Sequence, residues 1–190
     1  MNAAARFLID TAFGILTYGF LLRFAMQWQR APFRNPVGQA LTALTDWAVK
    51  PVRRLVPGFS GIDWSTLLLA WIAQLLWLAA VGALVGRAAF DGASIATLAL
   101  LAGVELLKAA LWLLIVVVFA QAILSWTSPD GPLAGVLNAL SFRFLAPIRR
   151  LVPPLGGTLD LSPLILIVLA QLALMLPVAW LESAVQMAFR

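Results

Sequence analysis

Four apolar runs decide most of what this chain can become. They are Asp10 to Trp28; "TLLLAWIAQLLWLAAVGALVG", Thr66 to Gly86; a stretch within Ala93 to Trp126, purest in "AALWLLIVVVFAQAILSW"; and Pro163 to Val185. A helix needs roughly 18 to 20 apolar residues to cross a bilayer core of about 30 Å. The runs are too long for barrel strands and do not alternate. Only 11% of the 190 residues are charged and mean hydropathy is +0.97, against about 25% charged in soluble domains. That leaves too little polar surface for a water-soluble globule. The predicted fold is an all-α membrane protein with four transmembrane helices. Asp10 lies inside the first run, Arg23 near its end, and no small-x-small cleavage site follows. The run therefore reads as a retained span rather than a signal peptide.

The second constraint is a repeat. "PVRRLVP" spans Pro51 to Pro57 and "PIRRLVP" spans Pro147 to Pro153, an offset of 96 (147 − 51). Gly61 matches Gly157 at the same offset. Asp63 matches Asp160, Ser65 matches Ser162 and Gln74 matches Gln171 at 97; Trp28 matches Trp126 at 98. The chain divides into residues 1–92 and 93–190, each a span, a basic loop with an amphipathic helix, and a span, within one membrane domain. Two spans per unit keep both copies in one orientation, so they are expected to be parallel repeats.

Loop charge sets the expected orientation. Arg23, Arg30, Arg34, Lys50, Arg53 and Arg54 follow the first run, and Arg143, Arg149 and Arg150 follow the third. The other side has Arg6, Arg87, Arg190 and Lys108. The positive-inside rule places both long loops in the cytoplasm and both termini, with the Arg87–Asp91 loop, outside. The net charge of +5 thus points to orientation and anionic lipid rather than nucleic acid.

Each long loop holds an amphipathic stretch. Val37, Ala40, Leu41, Leu44, Trp47 and Ala48 recur at helical spacing, as do Leu133, Val136, Leu137, Leu140 and Phe144. Pro36 and Pro132 suit first-turn positions. Both read as short helices in the membrane interface, the alternative being ordinary packing on the spans. Pro51 and Pro147 are expected to end them, leaving a short stiff segment that holds the arginines at headgroup level. Ser65 and Ser162 are expected to cap the spans that follow. Asp63 and Asp160, two residues before those serines, are expected to fold back on Arg53 or Arg54 and on Arg149 or Arg150.

At these residues the chain resembles the YggT (YlmG-like) family of small membrane proteins. "FRNP" (Phe33 to Pro36), "PVRRLVP" with "GIDWS", and "PIRRLVPPLGGTLDLSP" carry the resemblance, which covers nearly the whole chain. In that family the third span often has an arginine near its cytoplasmic end, as the first has here at Arg23; this chain has Gln121 instead. The resemblance implies the bacterial inner membrane and a non-enzymatic membrane factor. The family is linked to osmotic-stress tolerance, to cell division or envelope organisation and, in plastids, to haem attachment to a b-type cytochrome.

There is no cysteine and no histidine, which removes thiol chemistry, the usual zinc sites and the commonest general base. No nucleophile–base pair, phosphate loop or carboxylate pair stands out, so no catalytic residue, metal or cofactor is expected. The candidate lipid- or partner-binding residues are Arg53, Arg54, Arg149, Arg150, Asp63, Asp160, Asn35 and Arg23. Gln74, Gln171 and Gln121 are candidate polar contacts between spans. Glu105 and Lys108, three apart, are read as a local ion pair. The expected function is a scaffold or assembly factor that shows its basic segments to anionic lipid or a membrane-protein partner. The alternative is a channel or a regulator of ion or osmolyte flux. A homo-oligomer is compatible with either.

Overall fold

A computed structural model of the chain describes residues 3–59, 61–84, 94–152 and 160–188. The elements are α1 (Ala3–Trp28), α2 (Pro36–Leu55), α3 (Trp64–Leu84), α4 (Ser94–Thr127), α5 (Pro132–Leu151), α6 (Ser162–Ala173) and α7 (Ala179–Ala188). A π-helical turn, Leu174–Val178, joins α6 to α7. Among the described residues the only β pairing is an isolated bridge between Phe59 and Ile62. Four helical stretches are long and apolar enough to cross a membrane: Ala3–Trp28, Trp64–Leu84, Ile95–Thr127 and Ser162–Met187. Each contains or closely overlaps one of the four apolar runs. The π turn has a local cause in Pro177. Proline has no N–H to donate and its ring crowds the carbonyl one turn back, and a wider turn relieves both. The Arg87–Asp91 loop and the Pro153 and Gly157 positions of the repeat lie outside the described residues.

The helix α4 is the hub and touches α1, α3, α5 and α6 as well as α7. In the first half α1, α2 and α3 touch one another, and α4, α5 and α6 do the same in the second. One buried cluster joins Phe20 and Leu21 to Ala48, Val49, Ala70 and Ala109. A second joins Met26, Ala31 and Leu41 to Val117, Val136 and Leu140. Ala70, Ala73, Ala102 and Ala109 are buried on the spans α3 and α4, and Gly19 of α1 is buried against Leu44 and Thr45 of α2. Small residues let helices approach closely when hydrocarbon, not water, surrounds them.

The structure changes one local reading. Pro51 and Pro147 do not end their helices, because α2 and α5 run on to Leu55 and Leu151. Both prolines sit on the exposed side. What stops each helix is the next proline. Val56 and Val152 precede Pro57 and Pro153 and leave helical geometry at φ −120°, ψ 85° and φ −126°, ψ 88°. A residue before proline is pushed toward extended backbone in this way. The arginine doublets are therefore the last turns of helices, where a cation meets the negative end of the helix dipole. The amphipathic helices α2 and α5 touch the spans through Leu41, Ala48, Val49, Val136 and Leu140. Leu44 and Trp47 stay exposed.

The start of α2 is fixed by "NPVG". The Asn35 side chain accepts a hydrogen bond from the Gly38 N–H at 2.9 Å, and its amide donates to the Pro32 carbonyl. Pro36 follows at the first helical position. A Cβ on Gly38 would lie 2.3 Å from the Phe33 carbonyl oxygen, and that neighbour is backbone, which cannot swing away. Gly38→Ala is expected to cost about 1–3 kcal/mol of stability. Gly14→Ala, where a Cβ meets nothing within 4 Å, should be neutral or mildly stabilising. Thermal unfolding of both in detergent tests this, and equal effects would refute the steric reading.

Candidate functional site

The two arginine doublets divide their work in the same way. Arg53 pairs with Asp63, and Arg149 pairs with Asp160 at 2.8 Å. The acid meets its doublet in both halves, as expected, and of the two arginines left open in each doublet the structure uses the first. Arg54 and Arg150 are exposed and have no ion-pair partner among the described residues. The turn after α2 reverses at Gly61, whose φ of +79° suits a residue without a Cβ.

The acids also start the next spans, in place of the expected serines. Asp160 accepts from the Ser162 backbone N–H at 2.9 Å. Asp63 accepts from the Ser65 hydroxyl on its side chain and from the Thr66 hydroxyl on its carbonyl. Ser65 and Ser162 are themselves inside the helices and buried. Burial pushes both carboxyls up. Hydrogen bonds from Ser65 and Arg53 outweigh it at Asp63, and those from Ser162 and Arg149 outweigh it at Asp160, so both lie below the usual carboxylate range. Each acid is thus ionised at neutral pH and links a basic helix end to the start of a span.

Arg23 is held differently. Its side chain is buried, and one guanidinium nitrogen donates to the Thr45 hydroxyl at 2.6 Å and to Asp46 at 2.7 Å. Lys50 also reaches Asp46, at 2.8 Å. Hydrogen bonds from Lys50 and then Arg23 hold the Asp46 carboxyl below the usual range. A buried cation is tolerated only when paired and hydrogen-bonded, and this one ties α1 to α2. The sequence reading omitted Asp46 and Thr45. A signal existed, since Asp46 is the sole acid between Asp10 and Asp63.

The second half lacks this pair as a unit. Gln121 stands where α1 has Arg23. At the 96-residue offset Ser141 stands for Thr45 and Phe142 for Asp46. Cation and anion are both replaced, so neither charge is stranded. The Gln121 side-chain oxygen is buried with no partner among the described residues.

The other glutamines part company. Gln74 lines a polar cavity of about 270 Å³ between α1, α3 and α4, with Asp10, Thr17, Glu105 and Lys108. Gln171 is on the exposed face of α6 and therefore does not hold two spans of this chain together. The Glu105–Lys108 pair, at 2.8 Å, is larger than a local one. Lys108 also meets Glu182 of α7 at 2.6 Å. The sequence could not show this, because Glu182 is 74 residues away. Near the doublets Trp28 stacks edge-on with Phe144 at 6.2 Å and lies under the Arg143 guanidinium at 5.0 Å. No group of three or more acidic residues able to hold a metal occurs among the described residues.

These features define a four-span helical membrane protein with two basic helix ends, each locked to the start of the following span. The family model described as CCB3/YggT matches residues 2–84 and 100–181, and the chain belongs to that family. An "Uncharacterized protein YggT" of Escherichia coli strain K12 is 36% identical over 165 residues, 86% of this chain and 83% of the relative. An "Uncharacterized protein in proC 3'region" of Vibrio alginolyticus is 36% identical over 175 residues, 91% of this chain and 92% of the relative. No solved structure matches.

The Arg23 clamp generates a test. Asp46→Phe alone leaves a buried guanidinium without its carboxylate and is expected to cost up to about 3 kcal/mol. The double variant Arg23→Gln with Asp46→Phe recreates the second half's arrangement and should be more stable than Asp46→Phe alone. Denaturant unfolding in mild detergent measures the cycle. Additive losses would show that the two charges do not depend on each other.

Proposed function

We propose that this protein is a non-enzymatic membrane scaffold or assembly factor. It presents Arg54 and Arg150 to an anionic lipid headgroup or to an acidic partner protein. One observation carries the reading: within each doublet the first arginine is paired with an acid of this chain, while the second, on the same helix end, is exposed and has no ion-pair partner among the described residues. A chain that needed only orienting charge has no use for so fixed a frame, because the positive-inside rule counts charges and not their placement. By that rule both doublets face the cytoplasm. An exposed arginine on a fixed frame suits a phosphate or carboxylate, which its planar fork grips with two hydrogen bonds.

The polar cavity around Gln74 favours a second reading, regulation of ion or osmolyte flux. Against it, the buried layer of Phe20, Leu21, Ala70 and Ala109 lies within the same three helices. A solute path along them would have to open that apolar layer.

Arg54→Lys with Arg150→Lys separates these readings. We expect normal membrane insertion and about tenfold less crosslinked partner, roughly one charge-assisted hydrogen bond. Full retention of partners together with full rescue of a deletion strain would leave the doublets an orienting role alone. The flux reading instead predicts that Gln74→Leu impairs survival of osmotic shock while the lysine variant behaves as wild type.

Orientation is checked separately. A cysteine at exposed Gln39 should be shielded from a membrane-impermeant external thiol reagent, and one at exposed Ala4 should be labelled. The reverse pattern would invert the topology.

A further inference from the structure

An apolar groove runs along the spans between α1 and α4, about 390 Å³ in volume. Leu22, Leu107, Ala110, Leu114 and Phe144 are among its walls, and no residue of α6 lines it. Leu107 is exposed at its mouth. At the end near the doublets it meets a second pocket of about 780 Å³, with Trp28 and Gln29 lining both. The second pocket carries Arg30, Arg143 and Arg150 and no acidic residue. Apolar channel and cationic mouth thus form one continuous site, with an amphipathic tryptophan at the junction, as tryptophan prefers at a membrane interface.

Two details show that the mouth is built for a ligand. The first is Arg30, which has φ 55°. It closes α1 with its own N–H on the Gln27 carbonyl at 3.1 Å and the Ala31 N–H on the Met26 carbonyl at 2.8 Å. Glycine normally fills this left-handed closing position, and a side chain there is strained. The backbone carries that strain at a residue that lines the pocket. The second is Gln29, whose side-chain nitrogen is buried with no partner among the described residues. It lines the junction, where an ester or phosphate oxygen could accept from it.

We propose that the groove between the two halves of the chain is a binding site for one anionic phospholipid. Its phosphate sits among Arg30, Arg143 and Arg150, and an acyl chain lies along α1 and α4. Charge selects the headgroup and the apolar walls select a lipid over a soluble phosphate. The site shares only Arg150 with the presented doublets, so the test below turns on residues outside them.

The experiment is native mass spectrometry of the purified full chain in mild detergent, titrated with dioleoylphosphatidylglycerol or dioleoylphosphatidylcholine. We expect one phosphatidylglycerol bound at least tenfold more tightly than phosphatidylcholine. Arg30→Gly should lower phosphatidylglycerol affinity about fivefold, the worth of one basic residue near anionic lipid. The same variant should keep or raise thermal stability, because it relieves the backbone, so lost binding cannot be ascribed to misfolding. Arg30→Gly with Arg143→Gln should abolish the headgroup preference. Ala110→Phe, which fills the groove, should lower binding of both lipids.

A control, Arg34→Gln, removes an exposed charge outside the pocket and should leave binding intact. Equal binding of the two lipids, an unchanged Arg30→Gly, or an equal loss in the control would overturn the site. So would displacement of the lipid by glycerol 3-phosphate alone, since that would mean a phosphate site without a groove. Binding that survives while the Arg54 and Arg150 lysine variant behaves as wild type would support this site and sink the proposed scaffold role.

Discussion

A guanidinium buried against apolar helices needs a partner before anything else in the fold can be settled. Arg23 has two, Thr45 and Asp46, and both belong to α2. Holding that cation out of water therefore fixes a surface helix on a membrane span. Once α2 is fixed, its last turn is fixed too, and that turn carries Arg53 and Arg54. Arg53 passes the constraint on to Asp63 at the start of α3. Two ion pairs, Arg23–Asp46 and Arg53–Asp63, thus link the first span to the second through the helix between them.

The second half reaches a comparable arrangement with fewer charges. Arg149 and Asp160 repeat the lock at the helix end, but Gln121 and Phe142 replace the clamp. There α5 is held through apolar contacts such as Val136, Leu140 and Leu145, all buried. Removing both members of an ion pair together avoids the large penalty of stranding one. The first half is accordingly the more electrostatically constrained of the two.

Polar groups inside the spans follow the same logic. Lys108 lies among apolar helices and is held by two carboxylates from α4 and α7. Asp10 accepts the Trp77 indole N–H at 2.7 Å. In hydrocarbon such groups face the interior and pair with one another, so they tie helices together. Gln171, exposed on α6, does not take part in this within the chain.

The sequence by itself determined the four spans, because apolar length against bilayer thickness leaves no other reading. It determined the repeated doublet and that each doublet would meet its acid, since about ten residues around a short turn bring them together; which arginine of the pair does so was left to the structure, which uses Arg53 and Arg149. It did not determine where the basic helices end. Pro51 looked like a stop, yet a proline on an exposed helix face leaves its carbonyl partner open to solvent, and the stop falls at Val56 before Pro57. It did not reveal Thr45 and Asp46 as partners of the buried Arg23, or Glu182 as a partner of the half-buried Lys108, because those contacts span 22, 23 and 74 residues. Such contacts follow from how helices pack, and periodicity carries no record of which helix lies beside which. The groove between α1 and α4 and its ring of arginines have the same origin: each residue was visible in the sequence, but only tertiary packing brought Arg30, Arg143 and Arg150 to one mouth.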